Sequence, residues 1–235
     1  MTASEFVLFD IPSAPCVPVA GEAGRYPVRR IFCIGKNYAD HAREMGGEPD
    51  KSYPIYFTKP ASAIALSGAT IPYPPRTSDF HYEMEMVIAL GKSVFNASPA
   101  DAAAAIYGYG CGLDMTRRDL QAQAKTRGAP WDTAKAFENS AIIGALTKAS
   151  DVGPIGAQRI FLQVNGETRQ DAHLRDMLFS CEEIIADLSS YYHLAPGDLI
   201  FTGTPAGVGA VNVGDELAGG IDGLAPISLA IGAPD

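Results

Sequence analysis

The sequence predicts an α+β protein built around curved β-sheets, and three observations carry that expectation. Its apolar runs are short and fenced by Gly and Pro, as strands are. Its helical patterns are few and do not alternate with strands in regular βαβ units, which disfavours a doubly wound sheet. Its 235 residues hold no internal repeat, low-complexity tract or linker, a length that suits one substantial domain.

The elements follow in order. Residues 1–27 open on FVLFD and turn Pro-rich, predicting an N-terminal strand and an irregular arm that belongs to the same unit as residues 28–235. RIFCIGKNY (30–38) reads as a strand entering a turn, and ADHAREMGG as a short helix closed by Gly46 or Gly47. PIYFTKP (54–60) and EMEMVIALG (83–91) read as strands. SPADAAAAIYG (98–108) is a helix with Ser98 as N-cap and Pro99 in its first position. YGYGCGLDMT (107–116) is a glycine-rich strand that permits close backbone approach, and RRDLQAQAK (117–125) is helical. RIFLQVNGETRQ (159–170) is a hairpin turning at Asn165-Gly166. SCEEIIADLSSYYHL (180–194) is a helix opened by a Ser180/Glu183 capping box. GDLIFTGTP (197–205) and PISLAIG (226–232) close the chain as strands.

Composition narrows the function. A net charge of −9 gives no footprint for nucleic acid and repels anionic lipid. An anionic substrate would therefore need a local device, a metal or a few Lys and Arg. Cys16, Cys33, Cys111 and Cys181 are widely spaced and predict inert thiols. With no long apolar run and no basic leader, the expectation is a soluble cytoplasmic protein without membrane partners. GTPAGVG lacks the Lys-Ser/Thr ending of a P-loop and GYGCG is no dinucleotide fingerprint, so a nucleotide enzyme is disfavoured.

Glu83 and Glu85 are two apart on a strand, so they share a face with roughly 7 Å between their Cα atoms. Two such groups repel unless a cation lies between them; otherwise they mark a solvated strand edge. Asp114, after a glycine-rich apolar strand, is hard to read as a solvated residue. Three carboxylates without His or Cys suit Mg²⁺, Mn²⁺ or Ca²⁺ rather than Zn²⁺. His41 and Glu44 share a helical face, either as a surface pair or as a dyad that activates water. His81, close to the glutamates, is a candidate to support them.

Taken in series, CIGKNYADHAREM, KPASAI, DFHYEMEMVIALGK, GYGCGLDMTRRDLQ, PWDTAKAFENSAIIG and GDLIFTGTPAGVG resemble the fumarylacetoacetate hydrolase family from about residue 30 onward. The resemblance implies a β-sandwich roll of curved mixed sheets with short helices, in a single catalytic domain over residues 28–235. DMTRRDLQ and PWDTAKAF are most similar to the branch that splits 3-fumarylpyruvate during aromatic breakdown through gentisate. The resemblance implies Glu83, Glu85 and Asp114 as ligands of a divalent ion, usually Mg²⁺. It implies His41 and Glu44 as the water-activating dyad on a lid, and Lys135 as a catalytic lysine. Lys36, Tyr38, Arg118, Gln121 and Thr204 fall at substrate-binding positions, Lys36 standing where the family commonly has Arg. Tyr73, Arg76, Arg127 and Trp131 are candidates for the pocket wall. The expected reaction is hydrolysis of a C–C bond in a small anionic 2,4-dioxo acid by a homodimer. Oxaloacetate decarboxylation and isomerisation, hydration or lyase chemistry on oxo acids are alternatives at the same site, and a non-catalytic metal- or ligand-binding protein is a remoter one.

Overall fold

A computed structural model describes residues 8–10 and 12–235. Phe6 and Val7 of the expected N-terminal strand lie outside the described residues, and Leu8–Asp10 form an exposed bend instead. The arm supplies a small hairpin, Cys16–Pro18 against Arg25–Pro27.

The architecture is α+β, as expected. Its centre is a mixed sheet running Ile55–Lys59, Arg30–Gly35, Asp198–Phe201, Met84–Leu90, Ile106–Asp114, Ala141–Ile143, Ile64–Leu66, with Thr147–Lys148 also paired to Ile106–Asp114. Asp198–Phe201 runs parallel to Arg30–Gly35 and antiparallel to Met84–Leu90. A second sheet orders Glu167–His173, Arg159–Val164, Glu216–Ile221, Ile227–Gly232 and Ala69–Pro72. A small third sheet joins Thr116–Arg117, Phe80–Tyr82 and Gly209–Ala210.

Alternation along Met84–Leu90 explains two cores. Met84, Met86, Ile88 and Leu90 enter one core with Ile160, Leu162, Leu217 and Leu229 of the second sheet. Val87 and Ala89 enter the other, with Ile31, Leu199 and Phe201 and with Val17 and Tyr26 of the hairpin. Period-two alternation puts Glu83 and Glu85 in line with Val87, on the face that the hairpin covers farther along. The strand is buried throughout, so a solvated edge is excluded for its acids. Gly112 faces Glu85 across the ladder, and a Cβ there would sit 2.6 Å from both Phe201 and Val87.

The helices end where local chemistry ends them. Pro99–Ala105 stops before Ile106, where the β-branched residue begins the long strand. Arg118–Arg127 runs to left-handed Gly128. Cys181–Tyr191 keeps the reciprocal Ser180/Glu183 capping box, but ends before the expected residue 194, because Leu194 pairs with Val94. The 159–170 hairpin turns at Asn165 and Gly166, both at positive φ.

Candidate active site

The acids meet at one end of the central sheet. Met84–Leu90 begins there, Ile106–Asp114 ends there, and the parallel strands Arg30–Gly35 and Asp198–Phe201 both end there. Asp114 N–H donates to the Glu83 carbonyl across the ladder at 2.9 Å. The acids are buried, and one carboxylate oxygen from each of Glu83, Glu85 and Asp114 lies within 4.8 Å of the others. Glu83 and Glu85 line a cavity with Ile34, Gly35, Lys36, His41, Met45, Phe57, Arg118, Gln121, Lys125, Trp131, Lys135, Gly203 and Thr204, while fully buried Asp114 reaches it only through Lys135.

Such a cluster would repel itself, and buried cations hold it. Lys135 ends the short Asp132–Lys135 helix and donates to Glu83 Oε2 at 2.7 Å, Asp114 Oδ2 at 2.6 Å and Thr116 Oγ1 at 2.7 Å. Arg118 donates to Glu83 Oε1 and, at 2.6 Å, to Gln121 Oε1. His81 Nε2 lies 2.7 Å from Asp79 and its Nδ1 accepts from Arg118 at 3.4 Å, so it supports the residue that supports Glu83. Lys59 Nζ lies 2.8 Å from Asp114 Oδ1, at ion-pair distance but without hydrogen-bond alignment, and it also donates to the Lys135 carbonyl.

The charge states follow from this asymmetry. Burial works against ionising Glu83, but Lys135 and Arg118 outweigh it and hold its carboxyl well below the usual range. Among the described residues, Glu85 has only the Gly203 N–H at 2.7 Å as a hydrogen-bond donor. Burial, then the charges of Asp114 and Glu83, push its carboxyl well above the usual range. An oxygen-loving cation among the three acids fits: hard anionic donors, buried and converging, one of them short of positive charge.

His41 lines the same cavity, and Glu44 holds it from behind. The Ala39–Glu44 helix places His41 Nδ1 3.1 Å from Glu44 Oε2. The other Glu44 oxygen accepts from Gly207 N–H at 3.0 Å, tying this helix to the TGTPAGVG loop. That loop needs its glycines. A Cβ at Gly207 (φ +98°) would sit 2.0 Å from the Arg169 carbonyl oxygen, and one at Gly203 (φ +92°) 2.7 Å from Asn37 Cβ.

Lys36, Arg118, Gln121 and Thr204 line the cavity with the acids. Tyr38 does not. Extended at φ −126°, it bridges Met177 and buries its ring, its hydroxyl without a partner among the described residues. Of the four wall candidates only Trp131 lines this cavity, while Tyr73 packs on Phe80. Three further residues had no role in the sequence reading. Asn37 fastens the turn: its amide donates to Thr202 and Phe179 carbonyls at 2.8 and 3.1 Å and accepts from Phe179 N–H at 2.7 Å. Gln170 takes Met84 N–H at 3.0 Å and donates to Thr204 Oγ1 and the Pro205 carbonyl, both at 2.8 Å. Lys59 sits in the KPASAI stretch that carries part of the resemblance.

The remaining expectations concern bulk properties. No helix among the described residues is long and apolar enough to cross a membrane. All four cysteines are free, and burial pushes the Cys111 and Cys181 thiols up to about 12, as inert thiols require.

Known proteins resemble this chain in sequence and fold. The family model described as fumarylacetoacetate (FAA) hydrolase C-terminal matches residues 30–231. A fumarylpyruvate hydrolase from a Ralstonia species is 50% identical over 190 residues, 80% of this chain and 98% of that protein. The human mitochondrial oxaloacetate tautomerase FAHD1 is 38% identical over 88% of this chain and 93% of its own length. The crystal structure of fumarylpyruvate hydrolase from Pseudomonas aeruginosa, in complex with Mn²⁺ and pyruvate, superposes with a TM-score of 0.93 at 43% identity, covering 97% of this chain and all of that one. A Burkholderia cenocepacia structure described as a putative fumarylpyruvate hydrolase gives 0.91 at 46%, covering 99% and 97%. With the family model matching most of the chain and relatives of this identity covering it, the chain belongs to the fumarylacetoacetate hydrolase family.

Proposed function

We propose that this chain is a divalent-metal-dependent hydrolase that cleaves the C–C bond of a 2,4-dioxo acid, 3-fumarylpyruvate above all, to fumarate and pyruvate. The observation that carries the reading is that His41, held by Glu44, lines the same cavity as Glu83, Glu85 and the bridging Lys135. The half-identical Ralstonia relative and the pyruvate-bound Pseudomonas structure support the substrate class.

A divalent ion held by Glu83, Glu85 and Asp114 would supply Lewis acidity toward the oxo acid and a fixed positive charge in an acidic protein. The chain's own residues do the rest. Glu44 fixes the His41 tautomer with hydrogen on Nδ1, which leaves Nε2 to take a proton from the attacking water. Water adds to the distal carbonyl, the C–C bond breaks, and its electrons leave as the enolate of pyruvate. Lys135 places an ammonium beside that developing charge. Gln170 donates to Thr204 Oγ1, so the Thr204 hydroxyl is free to donate to a substrate carboxylate. Arg118, braced by Gln121, and Lys36 complete the polar wall.

We further infer Mg²⁺ as the working ion, a cytoplasmic homodimer as the working form, and residues 28–235 as one catalytic domain with residues 1–27 as part of it. The Mn²⁺ in the Pseudomonas relative supports an oxygen-loving divalent ion.

The FAHD1 relatives favour a second reading, oxaloacetate tautomerisation at the same site. One panel separates the two: fumarylpyruvate, acetylpyruvate and oxaloacetate, each assayed with Mg²⁺, with Mn²⁺ and with chelator. Metal-dependent release of pyruvate from the acylpyruvates supports the first reading. Turnover of oxaloacetate alone defeats it.

A further inference from the structure

The cavity carries two further cations. Lys36 stands in the turn after Arg30–Gly35 with its backbone left-handed at φ 59°. Lys125 lies on the Arg118–Arg127 helix, one turn beyond Gln121 and so on the same face. Both line the cavity that holds Glu83 and Glu85. Lys125 Nζ stands over the Trp131 ring, 5.4 Å from its centroid.

These two lysines differ from the cavity's other cations. Arg118 and Lys135 are taken up by Glu83 and Asp114. Lys36 and Lys125 belong to no ion pair among the described residues, although the chain carries 27 acids against 18 Lys and Arg. Two ammonium groups on one cavity, neither held in an ion pair, repel each other. Partial burial, then repulsion from Arg118 and Lys36, lowers the Lys125 pKa from its ordinary value. An anion seated between the lysines relieves that repulsion with charge-assisted hydrogen bonds.

On the acylpyruvate reading, the carboxylate triad already accounts for one end of an oxo acid. We propose that Lys125, with Lys36, forms the subsite for a second carboxylate, so that the protein selects dianionic acylpyruvates, whose acyl group itself ends in a carboxylate. Trp131 and Phe57, with ring centroids 5.8 Å apart, wall the space with flat apolar surface suited to a planar unsaturated acyl chain. Lysine suits this task better than the acid-gripping task of Arg118, because a point charge accepts a carboxylate at varied angles. The inference rests on the acylpyruvate reading above.

The test compares fumarylpyruvate with acetylpyruvate, which lacks the second carboxylate. In Lys125→Met and in Lys36→Met, the kcat/KM ratio of fumarylpyruvate to acetylpyruvate falls roughly ten- to hundredfold, the worth of a lost charge-assisted hydrogen bond, and falls through KM. Lys125→Arg keeps most of the ratio. An unchanged ratio in both Met variants overturns the proposal. A second arm does not need the reaction: fumarate and crotonate are titrated by calorimetry into the Mg²⁺-loaded protein. Fumarate binding that weakens in Lys125→Met, with crotonate binding that does not, supports the subsite even if neither acylpyruvate is cleaved, the outcome that would defeat the hydrolase reading alone. Equal weakening for both acids overturns the subsite.

Discussion

Lys135 Nζ bridges Glu83 Oε2 at 2.7 Å and Asp114 Oδ2 at 2.6 Å, and so joins two acids that come from different strands. All three groups are buried. In the ion-free protein this lysine is therefore the principal counter-charge of the cluster. Removing it leaves buried carboxylates short of a partner, at a cost of about 3–5 kcal/mol. Lys135→Met in chelator should lose that much stability by urea unfolding, and Mg²⁺ should restore most of it by supplying the missing charge. A variant as stable as its parent in chelator would show that Lys59 and Arg118 suffice.

On the proposed mechanism, His41 takes the water's proton while Glu44 holds its other nitrogen. His41→Ala should lower kcat by roughly 10²–10⁴. Glu44→Gln keeps a hydrogen-bonding group near Gly207 N–H but removes the charge that stabilises an imidazolium, so its loss should be smaller. Neither residue is among the proposed ligands, so calorimetric Mg²⁺ affinity should hold in both variants. Activity of His41→Ala within a few-fold of the parent would remove the general base.

Glu85 sets the pH response. Its carboxyl is raised by burial and by Asp114 and Glu83, so without an ion it stays protonated beyond the usual range. Binding an ion displaces that proton. Affinity for Mg²⁺ should thus climb roughly tenfold per pH unit until Glu85 titrates, then level off. Stability of the ion-free protein runs the other way. A raised folded pKa stabilises below the unfolded value, about 4.3, and that contribution is lost as pH rises through the folded pKa. Glu83, with its lowered pKa, contributes above about 4.3 and loses its contribution only in acid. Above that range Glu85 governs the pair, so in chelator the melting temperature should fall as pH rises. Calorimetry in buffers of different ionisation enthalpy reads the released proton directly.

Much of this site was legible in the sequence, because strand alternation sets which side chains share a face. Glu83 and Glu85 follow from period two alone, and Ser180/Glu183 and Asn165-Gly166 from local chemistry. Their convergence with Asp114 does not: it depends on the register that sets Glu85 opposite Gly112 and Glu83 beside Asp114. Local pattern also misleads where tertiary pairing takes over. TGTP reads as strand, yet residues after Phe201 leave the sheet so that Gly203 N–H can reach Glu85. Gln170 was invisible because a polar residue on an outer strand reads as solvated, and only the packing of the second sheet on the first buries it.

Asn37 offers a test of how the GKNY turn is fastened. It is fully buried, and three hydrogen bonds from its amide join the GKNY turn to the start of the TGTP loop and to Phe179. Asn37→Ala leaves two carbonyls and one N–H without partners, so it should destabilise the fold by about 1–3 kcal/mol or more. Lys36 and His41 flank this turn, so kcat should fall as well. A variant that unfolds like the parent would mean that water replaces the amide.

Gln170 gives the sharpest separation of binding from chemistry. Its carbonyl takes the N–H of Met84, between the two glutamates, and its amide holds Thr204 Oγ1 and the Pro205 carbonyl. It touches neither the dyad nor Lys135. Gln170→Glu is nearly isosteric and keeps an acceptor for Met84, but a carboxylate cannot donate to Thr204. The Thr204 hydroxyl would turn inward to donate to the new carboxylate and stop pointing a hydrogen at the substrate. KM should therefore rise, roughly tenfold for one lost hydrogen bond to a charged group, while kcat falls much less. Gln170→Leu also strands the Met84 N–H and the Thr204 hydroxyl, and should add about 1–3 kcal/mol of lost stability. Steady-state kinetics beside urea unfolding of the two variants read these effects separately. Should kcat collapse in Gln170→Glu with KM unchanged, Thr204 would act on the reacting atoms rather than on the carboxylate end of the substrate.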